Sequence, residues 1–160
     1  MTVRDLALHP LPIVSADWVT GRMKPEADRT PAENSELKQS DVLVAELLAA
    51  DIIVIGLPIY NFGIPATLKA WIDLVVRPGL TFQFTADGTK PLVLGKRVII
   101  AVASASTAVG SDSDHAVPYM RQILGFVGMT DIELVAADQL AFGRENSLAK
   151  ANLQIAALSH

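Results

Sequence analysis

The segment Ile52-Ile53-Val54-Ile55-Gly56-Leu57 constrains the fold more than any other part of the sequence. Four consecutive β-branched residues strongly favour a strand, and the run is apolar at successive positions. A strand with two apolar faces is typical of the interior of a parallel sheet that helices cover on both sides. The segment therefore predicts a central parallel strand in an α/β protein.

Two later segments repeat the pattern of an apolar strand followed by a loop and a helix. Arg97–Ala103 predicts a second strand and Asp131–Ala136 a third. A capping-box pattern at Thr30-Pro31-Ala32-Glu33 predicts the start of a helix that ends near Ala50, with a break near Ser40. Strands that alternate with helices in this way indicate an open, doubly wound parallel sheet. We also expect a short strand end at Thr2–Leu6, helices over 65–76, from about 115 to 125–128 and over 145–158, and an extended excursion with a turn over 80–88.

Composition narrows the possible classes of function. The length of 160 residues with 51% hydrophobic residues predicts one folded domain over residues 1–160. A net charge of -4 argues against a nucleic acid as the main partner. The sequence has no cysteine, which excludes disulfides and thiolate sites and fits a cytoplasmic location. It shows no signal peptide and no membrane segment, and it has neither a phosphate-binding glycine motif nor a metal-ligand spacing.

The loop Leu57–Pro65 carries the clearest candidate site. In an open α/β sheet, ligands bind beyond the carboxyl ends of the strands, so we expect the site on the loops 58–64, 104–114 and 137–144. The first of these loops places Tyr60 and Phe62 on either side of Asn61. Its backbone N–H groups could meet a flat heterocycle, with the two aromatic side chains as apolar faces. The alternative is a tight turn whose aromatic side chains only close the top of the core.

The same loop resembles the flavin loop of the FMN-dependent NADH azoreductases, which are flavodoxin-like NAD(P)H quinone reductases. The likeness is most specific in Pro58-Ile59-Tyr60-Asn61-Phe62 with Ile64-Pro65, and it continues through Gly79-Leu80-Thr81-Phe82 and Leu124–Gly128. Thr2–Ala7 is similar to the second strand of the family and the residues just after that strand. The resemblance covers essentially the whole chain.

The resemblance implies a homodimeric flavodoxin-like protein that binds FMN without a covalent bond. It implies an oxidoreductase in which NADH or NADPH reduces the flavin, which then reduces quinones or azo compounds in ping-pong order, and it requires no catalytic acid or base. It assigns the cofactor to Pro58, Ile59, Tyr60, Asn61 and Phe62, together with Ser104 and Ser106 of the next loop. It assigns the substrate side to Phe82, Phe84 and Phe126.

Two departures from the family pattern favour an alternative function. The family has a strand, a phosphate loop and a helix before the part that matches Thr2–Ala7, so we expect an N-terminally short chain without the first, central strand of the sheet. The family's Ser-Arg-Gly-Gly is replaced by Ala103-Ser104-Ala105-Ser106. These departures favour the alternative of a flavodoxin-like dimer that lacks FMN and catalysis. A low-potential electron-transfer flavodoxin is a further, separate alternative.

Overall fold

The protein has five strands and five α-helices in residues 1–158, which are the residues that this computed structural model describes. A single 3-10 turn lies at Glu26–Asp28. No helix of residues 1–158 combines the length and the apolar character needed to cross a membrane. The strands are β1 (Ile52–Pro58), β2 (Phe82–Thr85), β3 (Gly88–Pro91), β4 (Arg97–Ala103) and β5 (Asp131–Ala137). The helices are α1 (Ala16–Gly21), α2 (Pro31–Ala49), α3 (Ala66–Val75), α4 (Ala116–Val127) and α5 (Leu140–Ala157).

The described residues group into two units. The first unit contains residues 1–50 and 66–94, and therefore α1, α2, α3 and the β2–β3 hairpin. The second contains residues 51–65 and 95–158, and therefore β1, β4, β5, α4 and α5. The expectation of one domain over residues 1–160 stays a prediction.

The second unit is built on a parallel sheet in the order β1–β4–β5. Its register aligns the strand ends, because Pro58 pairs with Ala103 and Ala103 with Ala137. The three loops after these strands therefore leave the sheet at one edge. This arrangement confirms the parallel α/β architecture that the apolar runs predict.

The first strand of this sheet differs from its prediction in the burial of its two faces. In the described residues β1 lies at the edge of the sheet, and no strand pairs with its other side. Ile55 and Leu57 are buried, whereas Ile52 is 54% exposed and Val54 is 67% exposed on the alternate face. The expectation of burial on both faces is thus wrong for residues 1–158. The apolar pattern indicates that both faces of the strand are suited to burial, but it does not identify the elements that would cover those faces.

The helices of the second unit flank this sheet in sequence. Helix α4 ends at Val127 and is capped by Gly128, which has a left-handed backbone (φ 110°) and whose N–H donates to Leu124 O and Gly125 O. Helix α5 packs on β5 and begins at Leu140, five residues before the predicted start at Glu145. The extra turn is separated from the rest of α5 by a kink at Gly143, where the backbone is extended.

The first unit is organised around α2, which is continuous from Pro31 to Ala49, so the expected break near Ser40 is wrong. Thr30 Oγ1 accepts from the Glu33 N–H and Glu33 Oε2 accepts from the Thr30 N–H, so the predicted capping box is present. Helix α1, which the sequence does not predict, begins after Ser15, whose hydroxyl accepts from the Trp18 N–H. It packs against α2, and a Cβ on Gly21 would lie 2.8 Å from Glu33 Cβ. A glycine is therefore needed at this crossing.

The N-terminal segment of the first unit forms no strand. Thr2–Leu6 pairs with no described strand, so the predicted strand end is wrong. Instead, Arg4 forms a bidentate ion pair with Glu46 of α2, with Nε 3.0 Å from Oε2. A strand requires a neighbouring ladder, and a sequence pattern alone cannot supply one.

A buried polar network joins α2 to the end of α3. Arg77 is fully buried, and its Nη1 donates to Ser40 Oγ at 2.6 Å and to Asp41 Oδ1 at 3.2 Å. Ser40 Oγ donates in turn to Leu74 O. Thr81 Oγ1 accepts from the Arg77 N–H and donates to Val75 O. The bonds to Ser40 and Asp41 replace part of the hydration that the guanidinium loses on burial, through Nη1 alone.

Candidate functional site

The loop after β1 is a two-residue turn with unusual backbone geometry. The Tyr60 N–H donates to Gly63 O, and the Gly63 N–H donates to Tyr60 O, both at 3.0 Å. Between them, Asn61 (φ 48°) and Phe62 (φ 71°) are both left-handed, as in a type I′ turn. That turn favours Asn at its first central position and Gly at its second. Phe62 therefore occupies a position at which a residue with a side chain is strained.

The strained turn exposes aromatic side chains that are not part of the core. Tyr60 is 63% exposed and Phe62 is 53% exposed. Within residues 1–158, the amide N–H groups of Asn61 and Phe62 have no acceptor. Strain of this kind persists where the surrounding structure holds it, and such positions concentrate at binding sites. The interpretation of these aromatic side chains as plugs of the core does not agree with their exposure.

Two backbone hydrogen bonds fix the turn to the rest of the second unit. The Ile59 N–H donates to Ala103 O at 2.9 Å, which extends the β1–β4 ladder beyond Pro58. Phe62 O accepts from the N–H of His115 at 3.0 Å, just before α4. These bonds hold the backbone on either side of the unpaired N–H groups of Asn61 and Phe62.

The loop after β4 is held by its own side chains. Ser104 is buried, and its Oγ donates to Thr107 O and accepts from the Gln139 N–H at 3.2 Å. Its hydroxyl proton is therefore already used inside the loop. Ser106 is exposed, and no described residue accepts from its N–H. Of the two serines predicted to bind the cofactor, Ser106 is the one with free donors.

Two buried carboxylates that were not predicted from the sequence shape this loop. Asp114 Oδ1 accepts from the N–H groups of Ala116 and Val117 and so caps α4, while Oδ2 accepts from the Gly110 N–H. Asp138 Oδ2 accepts from the Val109 N–H at 2.8 Å. An aspartate two residues before an apolar helix is a capping signal, which could have identified Asp114. The role of Asp138 depends on a contact with a residue 29 positions earlier, so no nearby sequence pattern could have identified it.

The third loop joins the second through the backbone. The Leu140 N–H donates to Ser104 O at 3.0 Å, and the Ala141 N–H donates to Ala105 O at 2.9 Å. Gln139 has a left-handed backbone (φ 53°) at the start of α5. The predicted loops 58–64, 104–114 and 137–144 therefore belong to one hydrogen-bonded edge of the second unit.

The three phenylalanines predicted for the substrate side lie in different surroundings. Phe82 is buried in the first unit and meets Phe84 edge-to-face with ring centroids 5.3 Å apart. Phe84 is 64% exposed at the hairpin. Phe126 is half-buried on α4 of the second unit. Their role toward substrate stays a prediction, and Phe84 has the most exposed ring of the three.

Comparison with known proteins identifies the family. A family model described as a flavodoxin-like fold matches residues 1–158. FMN-dependent NADH:quinone oxidoreductase 1 from Jannaschia sp. (strain CCS1) is 48% identical over 159 residues, covering 99% of this chain and 83% of that protein. FMN-dependent NADH:quinone oxidoreductase 2 from Pseudomonas fluorescens (strain Pf-5) is 45% identical, covering 98% of this chain and 80% of that protein.

A solved structure agrees with the sequence relatives. The crystal structure of an azoreductase from Bacillus anthracis str. Sterne superposes with a TM-score of 0.82 at 28% identity. The match covers 96% of this chain and 76% of the azoreductase chain. The family model spans nearly the whole chain, and the strands and helices of this protein have the expected α/β order. The chain therefore belongs to the family of proteins with the flavodoxin-like fold.

Proposed function

We propose that this protein is a flavoprotein oxidoreductase that binds FMN and uses NADH or NADPH to reduce quinones and azo compounds. Relatives that are 48% and 45% identical are named FMN-dependent NADH:quinone oxidoreductases, and the solved relative is an azoreductase. These names support FMN and NADH as cofactor and electron donor, and they do not favour the alternative of a dimer without FMN. A cytoplasmic location is part of the proposal.

The observation that carries the proposal is the strained turn at Asn61 and Phe62. The residues present fit a flavin ring, because the free N–H groups of the turn are donors that ring carbonyl and nitrogen atoms can accept. Tyr60 and Phe62 add exposed aromatic faces at the same place. A turn that only closed the core would favour Gly at position 62 and would bury its aromatic rings.

In this proposal the protein binds and orients the reactants. FMN, when bound, would supply the hydride chemistry between NADH and the acceptor. Asn61, Phe62 and Ser106 would hold the ring through backbone N–H groups, and the Asn61 amide would add a side-chain hydrogen bond. Tyr60 and Phe62 would keep water away from part of the ring. The chain provides no catalytic acid or base in this scheme.

The experiment is an FMN titration followed by an assay of NADH oxidation with 1,4-benzoquinone as acceptor. We expect FMN binding, and NADH oxidation that requires both FMN and the quinone. Asn61→Ala and Asn61→Gly should each weaken FMN binding about tenfold to a hundredfold, since each loses a hydrogen bond worth roughly 1–3 kcal/mol. Asn61→Gly is the sharper variant because glycine keeps the left-handed backbone without strain.

The outcomes separate the candidate functions. FMN binding without quinone reduction would favour an electron-transfer flavodoxin. A chain that binds no FMN would favour the non-catalytic alternative and contradict the proposal. If Asn61→Gly binds FMN as tightly as the unaltered chain, the Asn61 side chain has no part in the site.

We also propose that the protein is a homodimer. The mean hydropathy of +0.37 is high for a small monomer, and helix α5 exposes the large apolar side chains of Phe142, Leu153 and Ile155. Light scattering at micromolar concentration should give twice the monomer mass of 17.1 kDa. A monomer mass under the same conditions would contradict this part of the proposal and leave flavin binding untouched.

A further inference from the structure

The first unit contains a cavity of about 850 Å³ that is rich in cationic side chains. Its walls come from the segment after α1, from α2 and from the hairpin region. An apolar side is formed by Leu80 and Phe84. Four cations line the cavity against two carboxylates: Arg22, Lys24, Arg29 and Lys38 with Glu26 and Asp41.

The cations are only partly neutralised within residues 1–158. Lys24 Nζ lies 2.6 Å from Glu33 Oε1, so that ammonium is paired. Arg29 Nε donates to two backbone carbonyl oxygens, which carry no full charge. Arg22 and Lys38 form no ion pair with any described residue. The cavity therefore has an excess of positive charge.

Three buried donors without acceptors lie close to one another, and one of them belongs to Arg22 of the cavity lining. In the described part of the chain, Trp18 Nε1, Arg22 Nε and Arg77 Nε are buried without a hydrogen-bond partner. They share one neighbourhood, because the guanidinium carbons of Arg22 and Arg77 lie 5.2 and 6.0 Å from the Trp18 ring centroid. Native structures pair most such groups, so an acceptor that reached this cluster would be stabilised.

The charge on Arg77 supports the same interpretation. Burial lowers the pKa of Arg77, the Asp41 carboxylate opposes this, and the positive charges of Arg29 and Arg22 lower the pKa further. Like charges held together in this way are stabilised when an anion enters among them. Within residues 1–158, Asp41 is the one carboxylate that bonds Arg77 directly, and its side chain is about half exposed.

We propose that this cavity is a binding site for a small organic anion. Its carboxylate or phosphate group would lie beside Arg22 and Lys38, and its apolar body against Leu80 and Phe84. Guanidinium and ammonium groups form charge-assisted hydrogen bonds with such oxyanions, and the cavity volume is that of a small-molecule site. The site lies wholly in the first unit, and the inference does not rest on flavin binding.

The test compares two probes that differ only in charge, 2-naphthoate and its neutral amide 2-naphthamide. Each is titrated by calorimetry into the full chain in buffer that contains FMN, so that any flavin site is occupied. We expect 2-naphthoate to bind about tenfold more tightly than 2-naphthamide, because only the anion gains charge-assisted bonds. Its affinity should also fall as potassium chloride is raised.

Two variants of cavity residues test whether the anion binds in this cavity. Arg22→Gln and Lys38→Gln should each weaken 2-naphthoate about tenfold and leave 2-naphthamide within about twofold. Lys90→Gln removes the same charge from an exposed position on β3 outside the cavity lining, and it should change neither probe. If Arg22→Gln fails to fold by circular dichroism, the exposed Lys38 decides the test. Equal affinity for the two probes, binding of neither, or an equal effect of Lys90→Gln would overturn the proposal.

Discussion

Replacing Phe62 by glycine and by alanine should separate the strain of the turn from the use of its side chain. Both changes remove the same ring, which is 53% exposed, and therefore forfeit the same partial burial. They differ in the backbone, because Phe62 has φ 71° and only glycine adopts that conformation without steric cost. Alanine retains a penalty of about 1–2 kcal/mol for the left-handed region. Glycine removes that penalty but loses about 0.4–1 kcal/mol through the entropy of the unfolded chain.

The net expectation is that Phe62→Gly is more stable than Phe62→Ala by about 1 kcal/mol, from these two contributions. Urea unfolding measures it, with the two variants compared at a common m-value. Both variants should lose FMN affinity to a similar extent, since neither retains the ring. A Phe62→Ala variant as stable as Phe62→Gly, or more stable, would refute the left-handed turn. Loss of FMN affinity in one variant alone would refute the role of the ring.

Three further predictions concern the first unit. Ser40→Ala removes one of the two hydrogen bonds that Arg77 Nη1 donates and the bond to the Leu74 carbonyl, so it should lower the free energy of unfolding by about 1–3 kcal/mol. Ser35→Ala, at an exposed position on the same helix, is its control and should change that free energy little. Thr30→Ala removes the helix cap and should lower that free energy by about 1 kcal/mol in urea unfolding, whereas Thr30→Ser should restore most of it. The Lys24 ammonium and the Thr30 N–H hold the pKa of Glu33 below its ordinary value of 4.5. Ionised Glu33 therefore stabilises the fold at pH values above 4.5, and this stabilisation is lost as the pH falls through the lower pKa of the folded state. Thermal unfolding measured from pH 7 to pH 2 should show a melting temperature that falls with the pH. Glu33→Gln should make that fall smaller.

Local patterns in the sequence were sufficient for much of the fold. The apolar runs predicted β4 and β5 to within a residue, and the capping box placed the start of α2. The loop after β1 was identified as a candidate site because it comes directly after an apolar strand and carries aromatic residues at positions where exposure is expected. In each case the signal lies within a few consecutive residues and needs no distant partner.

Features that depend on distant partners were missed. Arg77 is buried because Ser40 and Asp41, more than thirty positions earlier, meet its guanidinium group. Thr2–Leu6 has strand-like residues but no neighbouring ladder, and α1 has only six residues, too few for a periodic pattern. In the site, the left-handed backbone at Phe62 could not be predicted, because local preference opposes it.

The two sides of the parallel sheet differ in a way that affects how the protein can be handled. On the outer side of β5, the Ala136 N–H is covered by Gln154 Oε1 of α5 at 2.8 Å. On the outer side of β1 no described strand pairs, and Ile52 and Val54 expose β-branched side chains beside it. A bare, apolar ladder of this kind is a template on which a strand from another molecule can add. A further strand can therefore pair at the β1 side of the described sheet, whereas Gln154 already occupies a backbone donor on the β5 side.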